Sequence, residues 1–132
     1  MKFEIDRDAL LGPLQFVSSV VDRRQSLPLL ANLMISVEAG RLTLVGTDLE
    51  VELSASLDSI RNATDGTVTI PARKFSEICR SLPGSAPLIC ALDGHRMSIV
   101  SGRFRSHLAT LSVGEFPTVE MDPVLVEIRV PA

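Results

Sequence analysis

Gly66-Thr-Val-Thr-Ile-Pro-Ala-Arg-Lys-Phe-Ser-Glu-Ile-Cys-Arg-Ser-Leu-Pro-Gly84 holds a strand, a stop and a helix in one short stretch. Thr67–Ile70 is a β-branched run and reads as a strand. Pro71 ends it and pre-sets φ for a helix start. From Ala72 the period changes. Phe75, Ile78, Cys79 and Leu82 fall at i, i+3, i+4 and i+7, the apolar stripe of a short helix. Arg73 and Arg80 lie nearly opposite that stripe, with Glu77 between them. Leu82-Pro-Gly84 closes the helix.

The same layout occurs near the start of the chain. Lys2-Phe-Glu-Ile5 is followed by Asp6-Arg-Asp-Ala-Leu-Leu-Gly-Pro-Leu-Gln-Phe-Val17, which matches Ile5 with Ile70, Leu10 with Phe75, Leu14 with Cys79 and Val17 with Leu82. Gly40-Arg-Leu-Thr-Leu44 parallels Gly94-His-Arg-Met-Ser-Ile99, and Ala55-Ser-Leu57 parallels Ala109-Thr-Leu111. The expectation is an α+β fold of two tandem βαβββ units, with two helices packed on antiparallel sheet and the halves related by an approximate two-fold axis.

At 132 residues the chain has the length of one ordinary domain. Its apolar content is 45% with no Trp or Tyr, so Leu, Val, Ile and Phe must build the core. No apolar run is long enough for a bilayer span, and Asp6 and Asp8 interrupt any secretory leader. Two cysteines without CxxC spacing suggest neither a disulfide framework nor a zinc site. The expected setting is cytoplasmic, with reduced thiols and no membrane contact. A net charge of −3 argues against a protein that simply coats nucleic acid. Acid dominates Asp48–Glu52 and Glu115–Asp122, whereas Arg23-Arg24, Arg73-Lys74, Arg80 and Arg96–Arg105 are basic. That segregation fits either an ordinary mixed surface or a surface kept for an anion.

Asp6 is placed to cap the first helix, and Pro13 inside it predicts a kink. Arg23 and Arg24 fall in an irregular loop, where solvated surface is the plain reading. Leu33, Ile35 and Val37 alternate with polar residues up to a turn at Ala39-Gly40. Leu49, Val51 and Leu53 read as inward on a strand whose other face carries Asp48, Glu50 and Glu52. With no His or Cys near, that face is read as solvated and not as a metal site. Asp58–Gly66 is polar and turn-rich and reads as the join between halves. Leu88, Cys90 and Leu92 alternate up to a hairpin turn at Asp93-Gly94, and both cysteines read as small buried hydrophobes.

Gly102-Arg-Phe-Arg-Ser-His-Leu-Ala-Thr-Leu111 is the unusual strand. Arg103, Arg105 and His107 point one way and Phe104, Ser106 and Leu108 the other. Such a strand is either an edge awaiting a partner or an edge whose arginines discourage aggregation. Catalysis is hard to build here. Neither His95 nor His107 lies in a nucleophile, metal or phosphate-loop motif, so no enzyme and no cofactor are expected.

Met1-Lys-Phe3, Leu27-Pro-Leu-Leu-Ala-Asn-Leu33, Gly46-Thr-Asp-Leu-Glu50, Thr69-Ile-Pro-Ala-Arg-Lys-Phe75, Ile78-Cys-Arg80 and Glu115-Phe-Pro117 together resemble the N-terminal domain family of the bacterial sliding clamp, the beta subunit of DNA polymerase III. The resemblance covers essentially the whole chain in order. It implies a DNA-clamp fold in which three similar domains make a subunit and two subunits close head-to-tail into a ring. Helices line the hole, sheets form the wall, and double-stranded DNA passes without sequence readout. In that family an ATP-using loader opens the ring, the clamp holds DNA polymerase III and repair factors, and it catalyses nothing itself. Residues 1–126 would be domain one and 127–132 the start of domain two. The partner-peptide groove lies between later domains.

On this resemblance Arg24, Arg73 and Arg80 would face DNA. Lys74, Arg96, Arg103, Phe104, Arg105, Ser106 and Leu108 would meet the third domain of a second subunit. Many clamps have a large aromatic where this chain has Ser106, and Phe104 on the same face would substitute. The competing class is a non-replicative α+β interaction module that uses the Arg103–Leu108 edge.

Overall fold

The computed structural model describes residues 1–21, 31–48 and 50–111, and the backbone of 124–130. In chain order these form β1 (Lys2–Asp6), α1 (Arg7–Ser18), β2 (Asn32–Glu38), β3 (Arg41–Thr47), β4 (Val51–Leu57), β5 (Arg61–Thr64), β6 (Gly66–Pro71), α2 (Ala72–Ser81), β7 (Pro87–Asp93), β8 (Arg96–Ser101), β9 (Phe104–Ala109) and β10 (Val124–Val130). The two βαβββ units are therefore β1-α1-β2-β3-β4 and β6-α2-β7-β8-β9. The α+β class and the two helices on sheet agree with the sequence reading.

The units interlock. One sheet has the order β5-β1-β7-β8-β9 and the other β10-β4-β3-β2-β6. Each sheet thus combines a three-strand meander from one unit with the first strand of the other. Ile5 of β1 pairs with Leu88 of β7, and Ile70 of β6 pairs with Leu33 of β2. Neither half can complete its sheet alone. The inner faces meet the helices in one core, with Phe3, Ile5, Leu10, Leu14, Leu33, Leu44, Ile70, Phe75 and Leu88 fully buried. Burying these apolar side chains is the main term favouring the fold.

At one corner the two sheets are stitched by Thr69. Its carbonyl accepts the Leu111 N–H at 3.1 Å and its hydroxyl donates to the Leu111 carbonyl at 3.0 Å. At another edge β10 runs parallel to β4, from Val124 opposite Val51 to Val130 opposite Leu57.

Several local expectations change. The Asp58–Gly66 join contains β5, an edge strand on β1 whose four residues are all exposed; a strand with no buried face has no hydrophobic alternation to read. Asp6 does not cap α1, because its carboxylate accepts from Arg61 of β5 at 3.0 Å. That contact also raises the Arg61 pKa. α1 runs unbroken through Pro13. Asp48 is not on a strand face: its Oδ1 accepts the N–H groups of Glu50 and Val51 at 2.9 and 2.8 Å, making the turn into β4. Leu49 lies outside the described residues. Arg103 sits with Gly102, at φ +59°, in the β8–β9 turn, so it does not share a strand face with Arg105. The repeat also aligns differently here. Leu42 pairs with Leu57 as Met97 pairs with Leu108, which makes Leu108 the equivalent of Leu57 in place of Leu111.

Candidate functional site

α2 buries Ala72, Phe75, Ser76 and Cys79 and turns Arg73, Lys74, Glu77 and Arg80 outward. Helical periodicity alone separates these faces. Arg73 donates to Glu77 at 3.1 Å across one turn, an exposed pair worth a few tenths of a kcal/mol. Arg80 is exposed in the last turn, where a cation suits the negative end of the helix dipole. Its side chain has no charged partner among the described residues. Arg24, with Arg23, lies outside those residues.

The helices are antiparallel, because the start of α1 meets the end of α2. Arg7 anchors that meeting. Its Nε donates to the Cys79 carbonyl at 2.9 Å, and its Nη2 reaches the Arg80 carbonyl at 3.3 Å. Its own backbone N–H donates to Ala86 at 2.9 Å. Sequence reading missed Arg7, since nothing local announces a partner seventy-two residues away. A cleft of about 400 Å³ begins where the last turn of α1 meets the start of α2, at Gln15, Ser18, Ala72 and Arg73, and extends along α2 past Ser76 to Arg80.

The β9 residues divide by face as the alternation predicts, but their exposure is unequal. Arg105 and His107 are exposed, Phe104 and Ser106 half-buried, and Leu108 is a core residue at 4% exposure. Arg96 is exposed at the start of β8 opposite Ala109. It is thus four residues along from Arg105, roughly 13 Å at the usual strand rise. The basic residues of this hairpin therefore occupy its two ends.

Both thiols are chemically quiet. Burial pushes Cys79 up to about 12, with the Arg7 charge opposing, and burial raises Cys90 further. Neither supplies thiolate near neutral pH. Among the described residues no cluster of His, Cys, Asp or Glu could hold a metal ion, and no helix is long and apolar enough to cross a membrane.

Residues 1–120 match the family model described as DNA polymerase III beta subunit, N-terminal domain. The chain belongs to this family. It is 46% identical over 123 residues to the beta sliding clamp of Pseudomonas putida, covering 93% of this chain and 34% of that protein. To the beta sliding clamp of Vibrio cholerae it is 47% identical over 120 residues, covering 91% and 33%. The crystal structure of the DNA polymerase III subunit beta from Pseudomonas aeruginosa superposes with a TM-score of 0.87 at 45% identity, over 91% of this chain and 32% of that one. A Caulobacter crescentus pol III beta structure gives 0.86 at 38% identity, over 92% and 33%. The chain therefore spans about a third of the length of the relatives it matches. The matched region contains both helices and β1 to β9, and β10 lies beyond its end.

Proposed function

We propose that this chain is the first domain of a DNA sliding clamp, with residues 1–126 as that domain and 127–132 opening a second. The clamp is a cytoplasmic, non-catalytic ring of two subunits that encircles double-stranded DNA and tethers DNA polymerase III after an ATP-using loader has opened it. The observation that carries this reading is the outward face of α2, which presents Arg73 and Arg80 on a helix pair backed by two sheets. A ring that slides must hold phosphates weakly and without reading bases, which exposed arginines on a rigid helix can do. The acidic balance of the chain, −3 overall, keeps DNA away from the rest of the surface. Arg24, which lies outside the described residues, is the third cation that the family resemblance assigns to DNA.

In this reading the subunit seam runs along the outer edge of β9, which among the described residues pairs in its sheet with β8 alone. Phe104 and Ser106 supply the contact surface, while Lys74, Arg96, Arg103 and Arg105 select an acidic partner, the third domain of the second subunit. Leu108, being core, supports this edge from beneath.

The deciding experiment loads the full-length ring onto nicked circular DNA and then linearises the circle. A clamp slides off the ends. Retention on the linear product would instead favour an ordinary binding module.

A further inference from the structure

The internal duplication gives the antiparallel helix pair two equivalent ends. At one end Arg7 bridges the helices through the carbonyls of Cys79 and Arg80. The alignment that matches Leu10 with Phe75 and Leu14 with Cys79 puts Ala72 in the place of Arg7. A methyl group cannot span that gap, and the cleft of about 400 Å³ opens here beside Ala72, Gln15 and Ser18 and runs along α2 toward Arg80. We propose that the cleft seats one phosphodiester group of the DNA backbone, held between Arg73 and Arg80 by the one O–H that the bonded Ser18–Ser76 hydroxyl pair has left to donate. This rests on the reading of the α2 face as DNA-facing.

Ser76 is only 7% exposed, yet it belongs to the cleft lining and its Oγ lies 3.3 Å from the Ser18 Oγ. Two hydroxyls that share one hydrogen bond retain one further O–H to donate. Among the described residues no other group accepts it. Among the described residues the lining carries two guanidinium groups and no carboxylate, with Glu77 paired to Arg73 at 3.1 Å outside it, so the local charge favours an anion. Gln15 adds an amide donor on the α1 side. Hydroxyl, amide and arginine donors are the groups that position phosphates, and the volume is at the low end for ligand sites, ample for a phosphodiester with its flanking sugar.

The test uses the full-length ring binding a short linear duplex over a series of salt concentrations. Ser18→Ala with Ser76→Ala should weaken binding about tenfold at every salt, the scale of one hydrogen bond to a charged group. Its salt slope should not change, because no ionic contact is lost. Arg80→Ala, in contrast, should lower the slope by about 0.9. If the double serine variant binds like the parent while Arg80→Ala weakens binding, the seat is overturned and the DNA-facing reading stands. If Arg80→Ala is also without effect, the DNA-facing reading itself has failed. A second readout separates binding from folding. Inorganic phosphate titrated into the unsubstituted 132-residue chain should move the amide signals of Ser18, Ser76 and Arg80 most. Shifts spread evenly over all the surface arginines would overturn the seat.

Discussion

The Arg7 guanidinium donates from Nε to the Cys79 carbonyl at 2.9 Å, joining the first turn of one helix to the last turn of the other. The side chain is mostly buried, at 19% exposure. Removing it deletes both Arg7 bonds to the carbonyls at the negative end of α2 and loosens the contact between the two helices. Arg7→Ala should cost about 1.5–3 kcal/mol of stability in urea denaturation, and Arg7→Lys should recover only part of that because lysine lacks the fork. An unchanged midpoint in Arg7→Ala would show that this bridge contributes nothing net.

Gly46 lets β3 pass beneath the end of α1. A Cβ there would collide with the Val17 carbonyl and press on Leu33. Neither neighbour yields easily, since one is backbone and the other core. Gly46→Ala should therefore lose about 1–3 kcal/mol. Thermal unfolding of the variant beside Gly12→Ala, where a Cβ meets nothing within 4 Å, provides the contrast.

The buried thiols predict a pH dependence. Cys79 is raised from 9.0 to about 12 in the folded chain, and Cys90 is also raised. Between those values the unfolded thiol is ionised and the folded one is not, so the folded state binds more protons. Stability from this source is full below about pH 9 and falls as pH rises toward 12. Replacing both cysteines by alanine should flatten that alkaline decline. At pH 8 a thiol-specific disulfide reagent should react no faster than the chain opens, and rapid labelling in native buffer would contradict the burial.

Glu77 holds Arg73 at 3.1 Å on an exposed surface. Glu77→Gln releases that guanidinium and removes a carboxylate from the α2 face. DNA affinity of the full-length ring should rise a few-fold at low salt and converge with the parent at high salt, as screening demands. Weaker binding by this variant would remove α2 from the DNA-facing side.

The seam can be tested without disturbing the core. Leu108 is packed among core residues, so Leu108→Ala should cost about 2–5 kcal/mol of fold stability whatever the oligomeric state. Phe104→Ala and Arg105→Glu act nearer the surface. Together they should shift the full-length dimer toward folded monomers in sedimentation, more strongly at low salt than Phe104→Ala alone. A persistent dimer would move the seam away from β9.

What the sequence determined by itself was whatever local period and turn chemistry express. The apolar stripe of α2 and its opposed arginines follow from a 3.6-residue repeat, and the turns at Ala39-Gly40 and Gly94 from glycines that tolerate positive φ, observed at +78° and +62°. The duplication was legible because equivalent core positions recur in order. Tertiary structure alone decided which strand joins which sheet, since period-2 alternation records that a face is buried and not against what. The exchange of β1 and β6 between units, the fully exposed β5 on the edge of β1, and the burial of Leu108 beside half-buried Phe104 all follow from that pairing. The same holds for the cleft. Nothing local in the sequence marks Ala72 or Ser76, and only the antiparallel approach of α1 leaves open beside them the space that Arg7 bridges at the other end.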